Sequence, residues 1–138
     1  MNRPSKTFDL ALLFAALSDR TRLRLLNLID GRGVCVCYFV EILGQSQPKI
    51  SRHLAYLRRA GVVAARREGK WMHYRIVAPS HEGAARILRE TIAAIRKEKG
   101  MRADLARFDR VCCAPGRVST IEGAPLPILV EPACSATC

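Results

Sequence analysis

Long apolar runs are missing from this sequence: no stretch approaches the ~20 residues that a membrane-spanning helix needs. Also missing is a glycine loop of the kind that cradles phosphate, and no Cys-x-x-Cys opens a helix after a strand. No nucleophile is paired with a base along the chain, so an enzyme is not expected. Internal repeats are absent. The first twenty residues are amphipathic, carry Asp9 and Asp19, and lack a small-residue cleavage site, which argues against a secretory leader. Acidic residues are scarce, 12 against 23 Lys and Arg, leaving a net charge of +11. A cytoplasmic protein with no membrane partner is therefore the expectation.

With 138 residues, 49% of them hydrophobic, the chain suffices for one domain with a real core. Its positive charge is concentrated. Between Gln45 and Val77 eight bases meet a single acid, Glu68. Such a stretch is the footprint of a surface that meets phosphates.

Hydrophobic periodicity organises the chain as mainly α with a small β-hairpin. Phe8 to Leu17 reads as a first helix, and Ser18 as the N-cap of a second that carries Leu23, Leu26 and Ile29. Tyr38 to Leu43 makes a short helix ended by Gly44. Pro48 opens the next, along which Ile50, Leu54 and Leu57 recur until Gly61. Two short helices so joined form a helix-turn-helix. VVAARREGKWMHYRIV then alternates around a turn at Arg67 to Lys70, a basic-tipped hairpin of the kind called a wing. From His81 to about Arg110 the spacing predicts one long helix, bent or broken at Gly100. Its apolar stripe and the first helix are expected to form a homodimer face. Residues 1–111 thus read as a winged helix-turn-helix DNA-binding and dimerisation domain, and 112–138, rich in Pro and Gly, as an irregular cysteine-containing tail. PLPILV in that tail is apolar enough to dock.

A reading helix must show polar side chains at its N-terminal end while its other face packs. Gln45, Ser46, Gln47, Lys49, Ser51, Arg52 and His53 surround one apolar residue, Ile50. Gln pairs with adenine and Arg with guanine in the major groove, whereas Ser and Lys serve bases or phosphates. On the hairpin, Arg66, Arg67, Lys70 and His73 are expected to hold backbone phosphates or probe the minor groove, with Trp71 packed beneath. Double-stranded operator DNA is the partner these residues imply.

The six cysteines fall into three pairs: Cys35 and Cys37, Cys112 and Cys113, Cys134 and Cys138. In a reducing compartment a disulfide framework is not expected, and pairing favours a soft-ion or redox role over isolated core thiols. On a regular helix residues two apart point to different sides, so Cys35 and Cys37 would share an ion only if their segment distorts. Gly31 and Gly33 leave room for that.

SQPKISRHLAYLRRAGVV followed by REGKWMHYRI closely resembles the DNA-binding core of the ArsR/SmtB metalloregulatory repressors, and ALSDRTRLRLLNLI resembles their second helix. The likeness spans roughly Phe8 to Ile95. It implies a winged-helix dimer whose reading helices enter successive major grooves, ~34 Å apart. GVCVCYFVEIL is similar to the ELCVCDLC thiol motif of the arsenical repressors in that family, except that the third cysteine is replaced by Val40. The resemblance implies trivalent arsenic or antimony as inducer, held by three thiolates, with no catalytic cofactor. Two arrangements stay open. One is a composite site using Cys35, Cys37 and the pair at 112 and 113. The other is a C-terminal site in which Cys112 and Cys113 gain a third sulfur from the tail, Cys134 or Cys138, or from a partner chain. A cadmium-, lead- or zinc-responsive repressor, or a thiol-redox regulator, is the alternative. The helix-borne zinc site of the family lacks its second His here.

Overall fold

The computed structural model describes residues 7–113 and 128–129, with Cys113, Ile128 and Leu129 described in the backbone alone. Two aspartates start the chain's first two helices. Asp9 accepts from the Leu12 amide and opens α1 (Leu10–Leu17), and Asp19 accepts from the Arg22 amide and opens α2 (Arg20–Ile29). Ser18, expected to cap α2, instead closes α1, its hydroxyl donating to the Ala15 carbonyl at 2.8 Å. A carboxylate serves the positive end of the helix dipole better than a hydroxyl does. Arg22 ties three helices together. Its guanidinium donates to the carbonyls of Ala16 (2.7 Å) and Ala15 (3.0 Å) and lies 4.3 Å from the Tyr56 ring centroid.

After α2 the chain forms β1 (Arg32–Cys35), a strand the sequence did not announce, and passes directly into α3 (Val36–Leu43). Gly44 takes a left-handed φ of 66° to end α3, a conformation that suits glycine. Ser46 then caps α4 (Gln47–Arg59) by accepting from the Lys49 amide. The hairpin follows as β2 (Val63–Glu68) and β3 (Trp71–Ile76), turning through Gly69 at φ 60°.

The β structure is larger than a hairpin. Strands run β2-β3-β1-β4, all antiparallel, with Cys35 opposite His73 and Val34 opposite Tyr74. The outer neighbour of β1 is β4 (Ile128–Leu129), whose backbone pairs Leu129 with Arg32 and Ile128 with Gly33. Part of PLPILV is thereby docked on the sheet edge.

The predicted long helix is two. α5 (Glu82–Ile95) closes in a tight turn, Lys97 and Glu98 donating to the carbonyls of Ala94 and Ile95, and α6 (Lys99–Phe108) restarts with Glu98 as N-cap. Gly100 therefore lies inside α6, and the break precedes it. Ion pairs fasten the corner, Arg96 to Asp30 at 2.7 Å and Arg20 to Glu98 at 2.6 Å. The turn brings α6 back against α2. There Arg24 grips Asp104 through two bonds of 2.7 and 2.9 Å, and Asn27 donates to the Met101 carbonyl. The bidentate bond to Asp104 raises the Arg24 pKa, against the opposing effect of burial. A π-helical turn (Asp109–Cys113) follows α6, and the expected boundary at residue 112 falls within it. Cys112 is buried in the core with Tyr38, Phe39, Phe108 and Leu25, Leu26 and Leu28 of α2. No helix among the described residues is long and apolar enough to cross a membrane.

Candidate nucleic-acid interface and thiol site

Three buried residues, Ile50, Leu54 and Leu57, seat α4 on the core and leave its N-terminal half outward. Ser46, Gln47, Lys49 and Arg52 are exposed, while Gln45, Ser51 and His53 are half-buried. Together Gln45, Lys49, Arg52 and His53 line a shallow concavity of about 500 Å³. Two of the expected contacts are committed to the scaffold. The Gln45 amide donates to the Thr21 hydroxyl at 3.0 Å, and His53 Nδ1 stands 3.3 Å from Arg22 and 3.7 Å from Asp19. Gln47, Lys49 and Arg52 are left as the foremost side chains, and Arg52 bonds only loosely to the Pro48 carbonyl at 3.5 Å.

On the wing Arg66, Arg67 and Lys70 are exposed. Arg67 donates to the Gly69 carbonyl across the turn, Lys70 lies 5.2 Å over the Trp71 ring, and Trp71 packs against the core. His73 does not belong with them. Only 4% exposed, it points inward on β3 and cannot reach a phosphate, which corrects its expected role. Its Nε2 lies 3.3 Å from Glu68, at an angle too poor for a hydrogen bond. Position in the sheet explains the error: β3 lies between β2 and β1, and there His73, opposite the buried Cys35, and its neighbour Tyr74 are both covered.

The sulfurs of Cys35 and Cys37 lie 2.9 Å apart. They can meet because they do not share a regular helix, the condition expected for both to hold one ion. Cys35 ends β1 and occupies the N-cap of α3 in an extended conformation, and Cys37 lies in the first turn, so the junction folds one thiol onto the other. The hydrogen bond from Cys37 lowers the Cys35 pKa from 9.0 to about 7, against the opposing effect of burial. Cys37 is pushed well above its ordinary value, first by that same bond and then by burial. The two titrate as a unit that gives up its first proton near neutrality and holds the second. In a chain whose other four cysteines are serine, ultraviolet thiolate absorbance should rise with a midpoint of about 7. Cys37→Ala removes the donor and should move that midpoint up toward 9.0.

Cys35 and Cys37 are both free, whereas the buried Cys112 is disulfide-bonded, so its partner is neither of them. The side chains of Cys113, Cys134 and Cys138 lie outside the described residues. Among those described, no three of His, Cys, Asp and Glu converge to hold an ion. The sequence missed the thiol junction and the Thr21 and Arg22 supports behind the reading helix. For the junction one signal was present: VCVCYFV has no helical period, and glycines precede it.

Residues 19–65, from the cap of α2 into β2, match the model of the arsR family of bacterial regulatory proteins. The chain is 48% identical over 79 residues to the arsenical resistance operon repressor of Escherichia coli, covering 56% of this chain and 68% of that one. It is 50% identical over 66 residues to the arsenic resistance transcriptional regulator ArsR1 of Pseudomonas putida, covering 47% of this chain and about half, 52%, of the relative. Among solved structures, the AntR antimony-specific transcriptional repressor superposes with a TM-score of 0.50 at 28% identity, covering 70% of this chain and 95% of that one. Reduced HlyU from Vibrio cholerae gives 0.52 at 26%, covering 64% and 85%. With a winged helix-turn-helix, a basic reading face and these relatives, the chain belongs to the arsR family of bacterial regulatory proteins and is a DNA-binding transcriptional regulator, not an enzyme.

Proposed function

We propose that this protein is a repressor that holds operator DNA as a homodimer and lets go when cysteine thiolates capture trivalent arsenic or antimony. The observation that carries this reading is the 2.9 Å approach of the Cys35 and Cys37 sulfurs at the N-terminus of α3, the first helix of the helix-turn-helix. The names of the E. coli, P. putida and AntR relatives point to the same class of inducer.

Soft sulfur donors favour these metalloids. The Cys35 thiolate attacks arsenic in As(OH)3, and the displaced hydroxide leaves as water with the Cys37 proton. The second sulfur then displaces another hydroxide, which takes a proton from solvent. Two As–S bonds form and two As–O bonds break. The remaining hydroxyl is open to a third thiol. Because Cys112 is paired away from Cys35 and Cys37, two separate sulfur clusters fit better than a composite site, with Cys35 and Cys37 as the cluster closer to the reading unit. Of Cys113, Cys134 and Cys138 one is the disulfide partner of Cys112, and the other two are the remaining donors on offer. Pinning the two sulfurs to one atom fixes the β1–α3 junction and swings α3 and α4 away from the groove. Taking occupancy from 99:1 to 1:99 needs ~5.5 kcal/mol of differential affinity. Arsenite added to the reduced protein on a labelled operator fragment should release it, and persistence of the complex at saturating arsenite overturns this reading.

The homodimer rests on α1. Leu10 and Phe14 are 37% and 55% exposed on a helix apolar on every side, which asks for cover. Phe14→Glu should sediment as a monomer and lose operator binding at least tenfold, since two half-sites no longer act together.

A further inference from the structure

Behind the reading face, α5, the end of β3 and the start of α6 enclose a cleft of about 590 Å³, within the ~300–1,000 Å³ of small-molecule sites. Its wall is apolar, formed by Ile76, Leu88 and Ile92. The room comes from alanines: Ala85 and Ala93, eight residues apart on α5, and Ala78 just past β3 present only methyl groups. Charge is distributed differently. Arg89, Arg96, Lys97 and Arg102 border the cleft, against one carboxylate, Asp30, which Arg96 already holds at 2.7 Å.

We propose that this cleft binds an amphipathic organic anion, a carboxylate on an apolar body, with the body along the Ala85–Ala93 stripe and the head at Lys97 and Arg102. An apolar cavity alone would take any hydrophobe; a cationic border around it selects one that ends in negative charge. A nucleic-acid strand fits poorly, because the apolar wall offers its phosphates nothing and the basic reading face stands on α4 and the wing. An occupant would touch the last strand of the wing, the C-cap of α2 and both halves of the α5–α6 corner. It would thus reach the elements that set the wing against the body without touching either thiol.

Decanoate titrated by calorimetry into the full-length reduced protein, without arsenite or DNA, tests this independently of the metalloid reading. Expected is saturable binding of one decanoate per chain, at least tenfold tighter than decanol and than decyltrimethylammonium. Lys97→Glu with Arg102→Glu should weaken it at least tenfold while operator binding and melting temperature hold, and Ala93→Trp should fill the cleft and abolish it. Equal affinity for decanoate and decanol, no saturable binding, or no effect of the charge reversal overturns the proposal. So does an Ala93→Trp protein that sediments as a monomer, because the cleft would then be a contact between copies of this chain.

Discussion

Serine at both Cys35 and Cys37 should leave a protein that still binds its operator but no longer releases it in arsenite. The oxygen of serine is a hard donor with a far higher pKa, so it neither supplies a thiolate near neutrality nor holds a soft metalloid. Operator contacts are spared because neither sulfur lies on the reading face, while the lost response amounts to most of the ~5.5 kcal/mol that switching demands. Electrophoretic shift across an arsenite series measures it. Cys112→Ser with Cys113→Ser, run beside it, should retain release. The opposite pattern, with the 35/37 variant responsive and the 112/113 variant blind, would place the switch at the C-terminal end of the body. Reciprocity gives a second measure: operator must weaken arsenite binding by the factor through which arsenite weakens operator binding.

Removing Gln47 and Arg52, two of the three foremost side chains of the reading helix, should have an effect of similar size on DNA binding. A good bidentate pair to a base edge contributes ~1–3 kcal/mol of discrimination. Gln47→Ala with Arg52→Ala should therefore lower operator affinity by at least ~30-fold and leave binding to unrelated duplex much less affected. Stability should hold, because both residues are exposed and Arg52 has only its 3.5 Å bond to Pro48 to lose. Arg66→Ala or Arg67→Ala on the wing should differ in kind, weakening specific and non-specific binding together and reducing the salt dependence by about one phosphate contact each. Equal losses on specific and unrelated DNA for the Gln47/Arg52 pair would count against base reading by α4.

What could be read in the sequence was whatever local chemistry decides. Helix ends marked by Asp, Ser, Pro and Gly, the stripe Ile50–Leu54–Leu57 and the turn at Gly69 each carry their signal within a few residues. α4 and the wing were accordingly legible nearly to the residue. What escaped depended on distant partners. The break after α5 is fixed by ion pairs to Asp30 and Arg20, more than sixty residues away, and not by the glycine that seemed to announce it. β1 holds four residues, Arg32–Cys35, and exists because β3 on one side and β4 on the other complete its hydrogen bonds. The convergence of Cys35 and Cys37 follows from that strand, so missing β1 meant missing the geometry of the thiols. His73 was misjudged for a related reason: composition showed its charge class, while the neighbouring strand β1, which sets Cys35 opposite it, decided that it is covered.

Arg22, bonded to the end of one helix and stacked on Tyr56 of the reading helix, makes the back of α4 stiff. An inducer acting on such a part has to move it whole, as a key is lifted from a lock and not melted in it. Amide exchange along α4 should then stay slow when the DNA departs, with any quickening confined to the short links on either side of α3.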